Sequence, residues 1–131
     1  MKAKIVWLAA AAVVAFVSFS SADSKHAAAP KTTLKGEVVD MGCYMAHEAH
    51  GAKHKECGAK CVAGGMPMGL LTSNGKLYLI TLNHENGDAY NHLKDWIDDQ
   101  VEVTGVVAER AGIKSIDVET AKAASTAAST K

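Results

Sequence analysis

All three cysteines of the chain lie between residues 43 and 61, together with three of its six histidines. Thiolate sulfur and imidazole nitrogen are ligands that suit Zn(II) and Cu(I). Five of these residues follow one another at intervals of three or four positions, the spacing of one helix face: His47, His50, His54, Cys57 and Cys61. Gly51 interrupts that helix, so only the second half, with His54, Cys57 and Cys61, is predicted to present such a face.

The helical spacing of Cys57 and Cys61 favours a metal site over a disulfide between these two residues. Residues at i and i+4 hold their Cβ atoms roughly 5–6 Å apart, whereas a disulfide needs about 3.8 Å. A Cys57–Cys61 disulfide would therefore be strained, but a shared metal ion would tolerate the gap. Cys43, expected at the end of the first strand, supplies a third thiolate. The predicted metal ligands are accordingly Cys43, His54, Cys57 and Cys61, binding Cu(I) or Zn(II).

Two other uses of the cysteines stay open. A Cys43–Cys57 or Cys43–Cys61 disulfide would link the cysteine-bearing segment covalently to the rest of the domain and leave the third cysteine as a free thiol. A thiol redox protein would need a low-pKa cysteine, although the C-x-x-C pattern typical of such proteins is absent. An oxidised resting form that binds metal only after reduction would combine the disulfide and the metal site.

Further soft or basic side chains surround the four predicted ligands. The thioethers of Met45, Met66 and Met68 are candidate accessory ligands that favour Cu(I), and the alternative is that they fill the core. His47 and His50 are candidates for an outer, exposed site, and the alternative is that they are simply solvated.

The beginning of the chain has the pattern of a secretory signal peptide. Lys2 and Lys4 precede an apolar run from Ile5 to Phe19, and small residues at 20–22 form a cleavage site. We therefore expect residues 1–22 to be removed and the mature protein to be soluble and periplasmic or secreted. The alternative is an uncleaved anchor.

Charge excludes several classes of partner. The chain has 14 basic and 14 acidic residues, and cleavage would remove two of the basic ones, leaving a weakly acidic protein. Such a chain is a poor nucleic-acid binder, and no second apolar run is long enough to span a bilayer.

Enzyme signatures are weak: no nucleophile motif or phosphate loop is present, and Asp98 and Asp99 are expected at an exposed helix end.

The predicted elements describe a small barrel between a linker at 23–33 and a disordered tail at 121–131. The expected strands are 35–40, 70–72, 76–82, 100–109 and 113–119. A Ser-Asn-Gly turn at 73–75 joins two of them, and Gly105 marks a bulge. With a helix from Asp88 to about Asp98, this order predicts a mainly β, five-stranded OB-like barrel at 34–120. A helical insertion at 41–68 carries the cysteines. A small open α+β sandwich is the alternative.

The motifs resemble a group of small exported bacterial OB-like domains. The resemblance rests on Cys43-Tyr44, on His54-x-x-Cys57-x-x-x-Cys61 and on Gly64-Gly65-x-Pro67, and it covers roughly residues 35–120. It implies that the four Cys and His residues act as a set. In general design the chain also resembles periplasmic copper-carrier OB domains, although those place their ligands on barrel strands.

Together these patterns predict an exported protein that binds, delivers or senses a soft transition metal rather than catalysing a reaction. The alternative is a disulfide-stapled OB-like module that binds a protein or a glycan, with an exported protein as partner.

Overall fold

Strands with alternating buried and exposed side chains close into a five-stranded barrel in the computed structural model, which describes residues 29–124. The strands are β1 (Lys31–Asp40), β2 (Met68–Thr72), β3 (Leu77–Leu82), β4 (Gln100–Arg110) and β5 (Ile113–Ala123). The helices are α1 (Met41–His47), α2 (Lys55–Ala63) and α3 (Asp88–Leu93), with a 3₁₀ turn at Lys94–Trp96. The predicted barrel with a helical insertion after the first strand and a helix between the third and fourth is thereby confirmed.

The strand order around the barrel is β1-β2-β3-β5-β4, and antiparallel pairing of β1 with β4 closes it. β3 pairs with β5 in parallel, and α3 lies in the connection between β3 and β4. Because the sheet closes on itself, the open sandwich considered as an alternative is wrong. A closed barrel of this size is filled by its own side chains, and 13 buried residues of the described part of the chain form the core, among them Met68, Leu70, Leu93 and Ile116.

The turn signals of the sequence are confirmed. Gly75 adopts a positive φ of 75° in the turn between β2 and β3. Ala111 and Gly112, with φ of 50° and 80°, join β4 to β5, as the two residues of a type I′ hairpin turn do. A register shift between Thr104 and Gly105 is the predicted bulge in β4.

The ordered barrel is longer at both ends than the sequence indicates. β1 begins at Lys31, inside the predicted linker, because it pairs with β4 and the hydroxyls of Thr33 and Thr104 lie 2.8 Å apart. β5 continues to Ala123, inside the predicted tail, because Val101 of β4 pairs with Ala123. The predicted signal peptide at 1–22, most of the linker and the tail beyond 124 lie outside the described residues.

Backbone hydrogen bonds join the segment after α3, residues 97–99, to β1. These bonds position the candidate site. The backbone N–H of Asp98 donates to the carbonyl of Val38 at 2.6 Å, and the N–H of Val38 donates to the carbonyl of Asp99 at 3.1 Å. The insertion helix α2 packs against both β1 and this segment. Within residues 29–124, no helix is long and apolar enough to cross a membrane.

Candidate metal centre

The first helix of the insertion begins where β1 ends, because Asp40 caps it. Asp40 Oδ1 accepts hydrogen bonds from the backbone N–H groups of Gly42, at 2.8 Å, and Cys43, at 3.4 Å, a typical N-cap arrangement. Cys43 therefore lies in the first turn of α1, whereas the sequence placed it at the end of the first strand. This cap fixes the thiol of Cys43 next to a buried carboxylate.

The second helix carries the other predicted ligands. α1 ends at His47 and is capped by Glu48, which has a φ of 52°, and Gly51 has a φ of 81°, so the helix is interrupted where the sequence predicts. The N–H of His54 donates to the carbonyl of Gly51 at 2.8 Å, and α2 starts at the next residue. His54 at the helix start and Cys57 and Cys61 on the helix then face Cys43, as predicted.

Candidate ligand atoms come together in two groups that share one cysteine. Cys43, His54 and Cys57 place one ligand atom each within 4.8 Å of one another. Asp40, Cys43 and Cys61 do the same, and the thiol of Cys43 belongs to both groups. All three cysteines are free, so neither disulfide considered above is formed. The four predicted ligands thus form one cluster that can hold a metal ion, and Asp40 joins them.

His54 is oriented as metal-binding histidines usually are. Its Nδ1 lies 2.9 Å from Oδ2 of Asp98, and the two side chains are 11% and 0% exposed. Because an ionised carboxylate only accepts, a neutral imidazole in this position would carry its proton on Nδ1 and keep the lone pair of Nε2 for a metal ion. Nε2 is buried and has no hydrogen-bond partner among the described residues. A carboxylate that holds the far nitrogen of a metal-ligating histidine is a recurrent arrangement, so these residues fit a bound metal.

Asp98 is a site residue that sequence analysis missed, and its expected exposure is wrong. The residue is only 7% exposed because its backbone bonds to β1 and turns it inward with a φ of 59°. Burial raises the pKa of its carboxyl group, and the hydrogen bond from His54 opposes this shift. The partner lies 44 residues away in sequence, so no local spacing signals the pair.

Gly58 allows α2 to approach this pair closely. A Cβ atom at Gly58 would lie 2.8 Å from Cγ2 of Ile97, 3.1 Å from Oδ2 of Asp98 and 3.1 Å from Cε1 of His54. Since real Cβ atoms essentially never approach closer than 3.0 Å, a side chain at this position would force Ile97 to shift and would crowd the imidazole of His54 and the carboxylate of Asp98.

Asp40 is a second site residue that the sequence analysis did not predict. Its side chain is fully buried beside two thiols. Its Oδ2 receives no N–H or O–H donor from the described residues and faces only the weakly donating thiols of Cys43 and Cys61. Burial raises the pKa of Asp40, but these thiols and the backbone N–H groups of the cap lower it overall.

The same contact raises the pKa of the Cys43 thiol. Hydrogen bonding to Asp40, followed by burial and the negative charge of Asp40, raises the pKa of Cys43 to about 12. Burial is the main cause that raises the pKa of Cys61. These shifts run opposite to the low thiol pKa that a redox protein needs.

The accessory candidates are mostly separate from the cluster. Met68 is fully buried in the barrel core, which matches the core-filling alternative, and Met45 is 68% exposed. Only Met66 lies close, since a Cβ at Gly42 would come within 2.8 Å of its sulfur.

The two outer histidines do not join a ligand group. Nδ1 of His50 lies 3.2 Å from the carboxylate of Glu37, which also accepts from the N–H of Gly51 at 2.6 Å. His47 is exposed at the end of α1. Among residues 29–124, no group of three candidate ligands contains His47 or His50.

No family model, no curated protein and no solved structure matches this chain. Inference about its function therefore depends on the geometry of the cluster itself.

Proposed function

We propose that this protein is an exported metal-binding domain that holds a thiophilic ion through Cys43, His54 and Cys57, with Cys61 beside them. The observation that carries the proposal is His54, which places a ring nitrogen within 4.8 Å of the thiols of Cys43 and Cys57 while Asp98 contacts its Nδ1 and its buried Nε2 has no partner among the described residues. Burying an imidazole nitrogen without a hydrogen bond is costly, and a metal ion would satisfy it.

Zn(II) is the ion that the donor set favours. Zinc accepts thiolate, imidazole and carboxylate ligands together, and the cluster offers all three through its cysteines, His54 and Asp40. Cu(I) prefers soft donors, and only the thioether of Met66 near Gly42 adds one. Cu(I) is therefore the second candidate.

The exposure of the cluster supports exchange or sensing of the ion rather than a closed structural site. Cys57 is exposed, and Cys43 and Cys61 are partly exposed. An ion held there can be reached by an external ligand, whereas structural zinc sites are usually closed by four protein ligands. The signal-peptide pattern at residues 1–22 supports a periplasmic or secreted location in which such exchange would occur.

The proposal is tested by equilibrium competition between the full chain and chromophoric chelators for Zn(II) and for Cu(I). We expect tight, stoichiometric binding by the wild type and its loss in the Cys57→Ser, Cys61→Ser double variant. His47→Ala, which removes a histidine outside the cluster, is the matched control and should bind as the wild type does. Equal affinity of the double variant and the control would overturn the proposal.

A further inference from the structure

We infer that the centre takes two divalent ions that share the thiolate of Cys43, rather than one ion held by four ligands. The first position would use Cys43, His54 and Cys57, and the second would use Asp40, Cys43 and Cys61. This inference rests on the proposed function and specifies the stoichiometry of the same site.

The separation of the ligands is the first reason. No group of mutually close ligand atoms in the described residues contains Cys61 together with His54 or Cys57. Two sulfur ligands of one tetrahedral zinc ion lie roughly 3.8 Å apart, given Zn–S bonds of about 2.3 Å. All four predicted ligands therefore do not surround a single point, whereas each of the two groups does so with Cys43 in common.

Asp40 is the second, independent reason. Its side chain is fully buried, and Oδ1 is used by the helix cap while Oδ2 has no N–H or O–H donor among the described residues. A buried carboxylate oxygen that has only weakly donating thiols beside it is poorly compensated for its lost hydration. A zinc ion between Asp40, Cys43 and Cys61 would satisfy this oxygen with a ligand type that zinc commonly accepts.

The test is titration of the full chain with Zn(II), with bound ions counted by native mass spectrometry. We expect two ions in the wild type, one in Cys57→Ser and one in Cys61→Ser, and none bound tightly in Cys43→Ser. Asp40→Asn keeps an oxygen that can cap α1 but loses the charge, so it should fold, as circular dichroism will show, and retain only one tightly bound ion.

Two control variants exclude a second ion on the outer histidines. His47→Ala and His50→Ala should each keep two ions. A wild type that binds one ion would overturn the inference and leave the proposed function standing, whereas a wild type that binds none would overturn both. Two ions retained in Cys61→Ser and in Asp40→Asn would place the second ion elsewhere and also overturn the inference.

Discussion

Nδ1 of His54 lies 2.9 Å from Oδ2 of Asp98, a carboxylate 44 positions further along the chain. The helical insertion supplies the histidine, and the segment after α3, which is hydrogen-bonded to β1, supplies the carboxylate. This pair joins the barrel to the cluster of candidate ligands, because it fixes the orientation of the His54 ring beside Cys43 and Cys57.

Replacing Asp98 with Asn should weaken zinc binding without unfolding the domain. Asn tolerates the positive φ of 59° at this position, but a neutral amide orients and polarises the imidazole less. Loss of such a supporting contact typically lowers metal affinity about 10- to 100-fold. Chelator competition measures the change. Asp99→Asn, which alters only the neighbouring exposed pair with Lys55, is the control, and equal affinities of the two variants would contradict this role for Asp98.

Gly58→Ala should destabilise the metal-free protein by about 1–3 kcal/mol, the usual cost of forcing a methyl group into a packed site. The added Cβ would meet Ile97 at 2.8 Å and press on Asp98 and His54. Denaturant unfolding monitored by circular dichroism measures the difference. Gly64→Ala is the matched control, because Gly64 has a φ of −78° and its nearest contact would be 3.3 Å. No difference in stability between the two variants would show that the close approach at Gly58 is unimportant.

Among the three thiols of the metal-free protein, Cys43 should be alkylated most slowly. A pKa raised from 9.0 to about 12 lowers the thiolate fraction at pH 8 about a thousandfold, whereas Cys57 is exposed and should react first. Reaction at Cys43 should accelerate as the pH rises toward 12, and Asp40→Asn should accelerate it at pH 8 by removing the neighbouring charge. Peptide mass mapping after timed iodoacetamide treatment follows each thiol. Cys43 reacting first at pH 8 would contradict the assigned environment.

Met66→Leu distinguishes a zinc centre from a copper centre. Leu has a similar volume but no sulfur, so it retains the packing against Gly42 and loses only a soft donor. We expect zinc affinity to stay within about twofold of the wild type, since zinc rarely uses thioethers. Competition assays with Zn(II) and Cu(I) measure both affinities. A large loss of Zn(II) affinity would make Met66 a ligand and contradict the proposed donor set.

Much of the barrel was predictable because its signals are local. The Asn-Gly turn, the bulge at Gly105 and the apolar alternation of the strands each specify their own few residues. The spacing of His54, Cys57 and Cys61 likewise specifies one helix face. The strand ends were missed because Lys31 and Ala123 are ordered by pairing with β4, and that pairing depends on residues distant in sequence.

The carboxylates of the site were not predictable in the same way. Asp98 and Asp40 are individually ordinary acidic residues, and only the tertiary fold brings Asp98 to His54 and Asp40 to Cys61. Asp40 does precede Cys43 at the spacing of a helix cap, a signal that could have placed Cys43 on a helix. The division of the ligands into two groups around Cys43 depends on how α1, which carries Cys43, lies beside α2, which carries Cys57 and Cys61, and no sequence spacing encodes that arrangement.

The most direct test of a metal-binding function is native mass spectrometry of the full-length gene product, purified from the compartment in which it resides without added reductant, with thiols counted on the same sample. A metal centre predicts bound zinc or copper together with three unoxidised cysteines. A protein without metal, lighter by the mass of two hydrogen atoms and with one titratable thiol, would contradict it and favour the disulfide-stapled module instead.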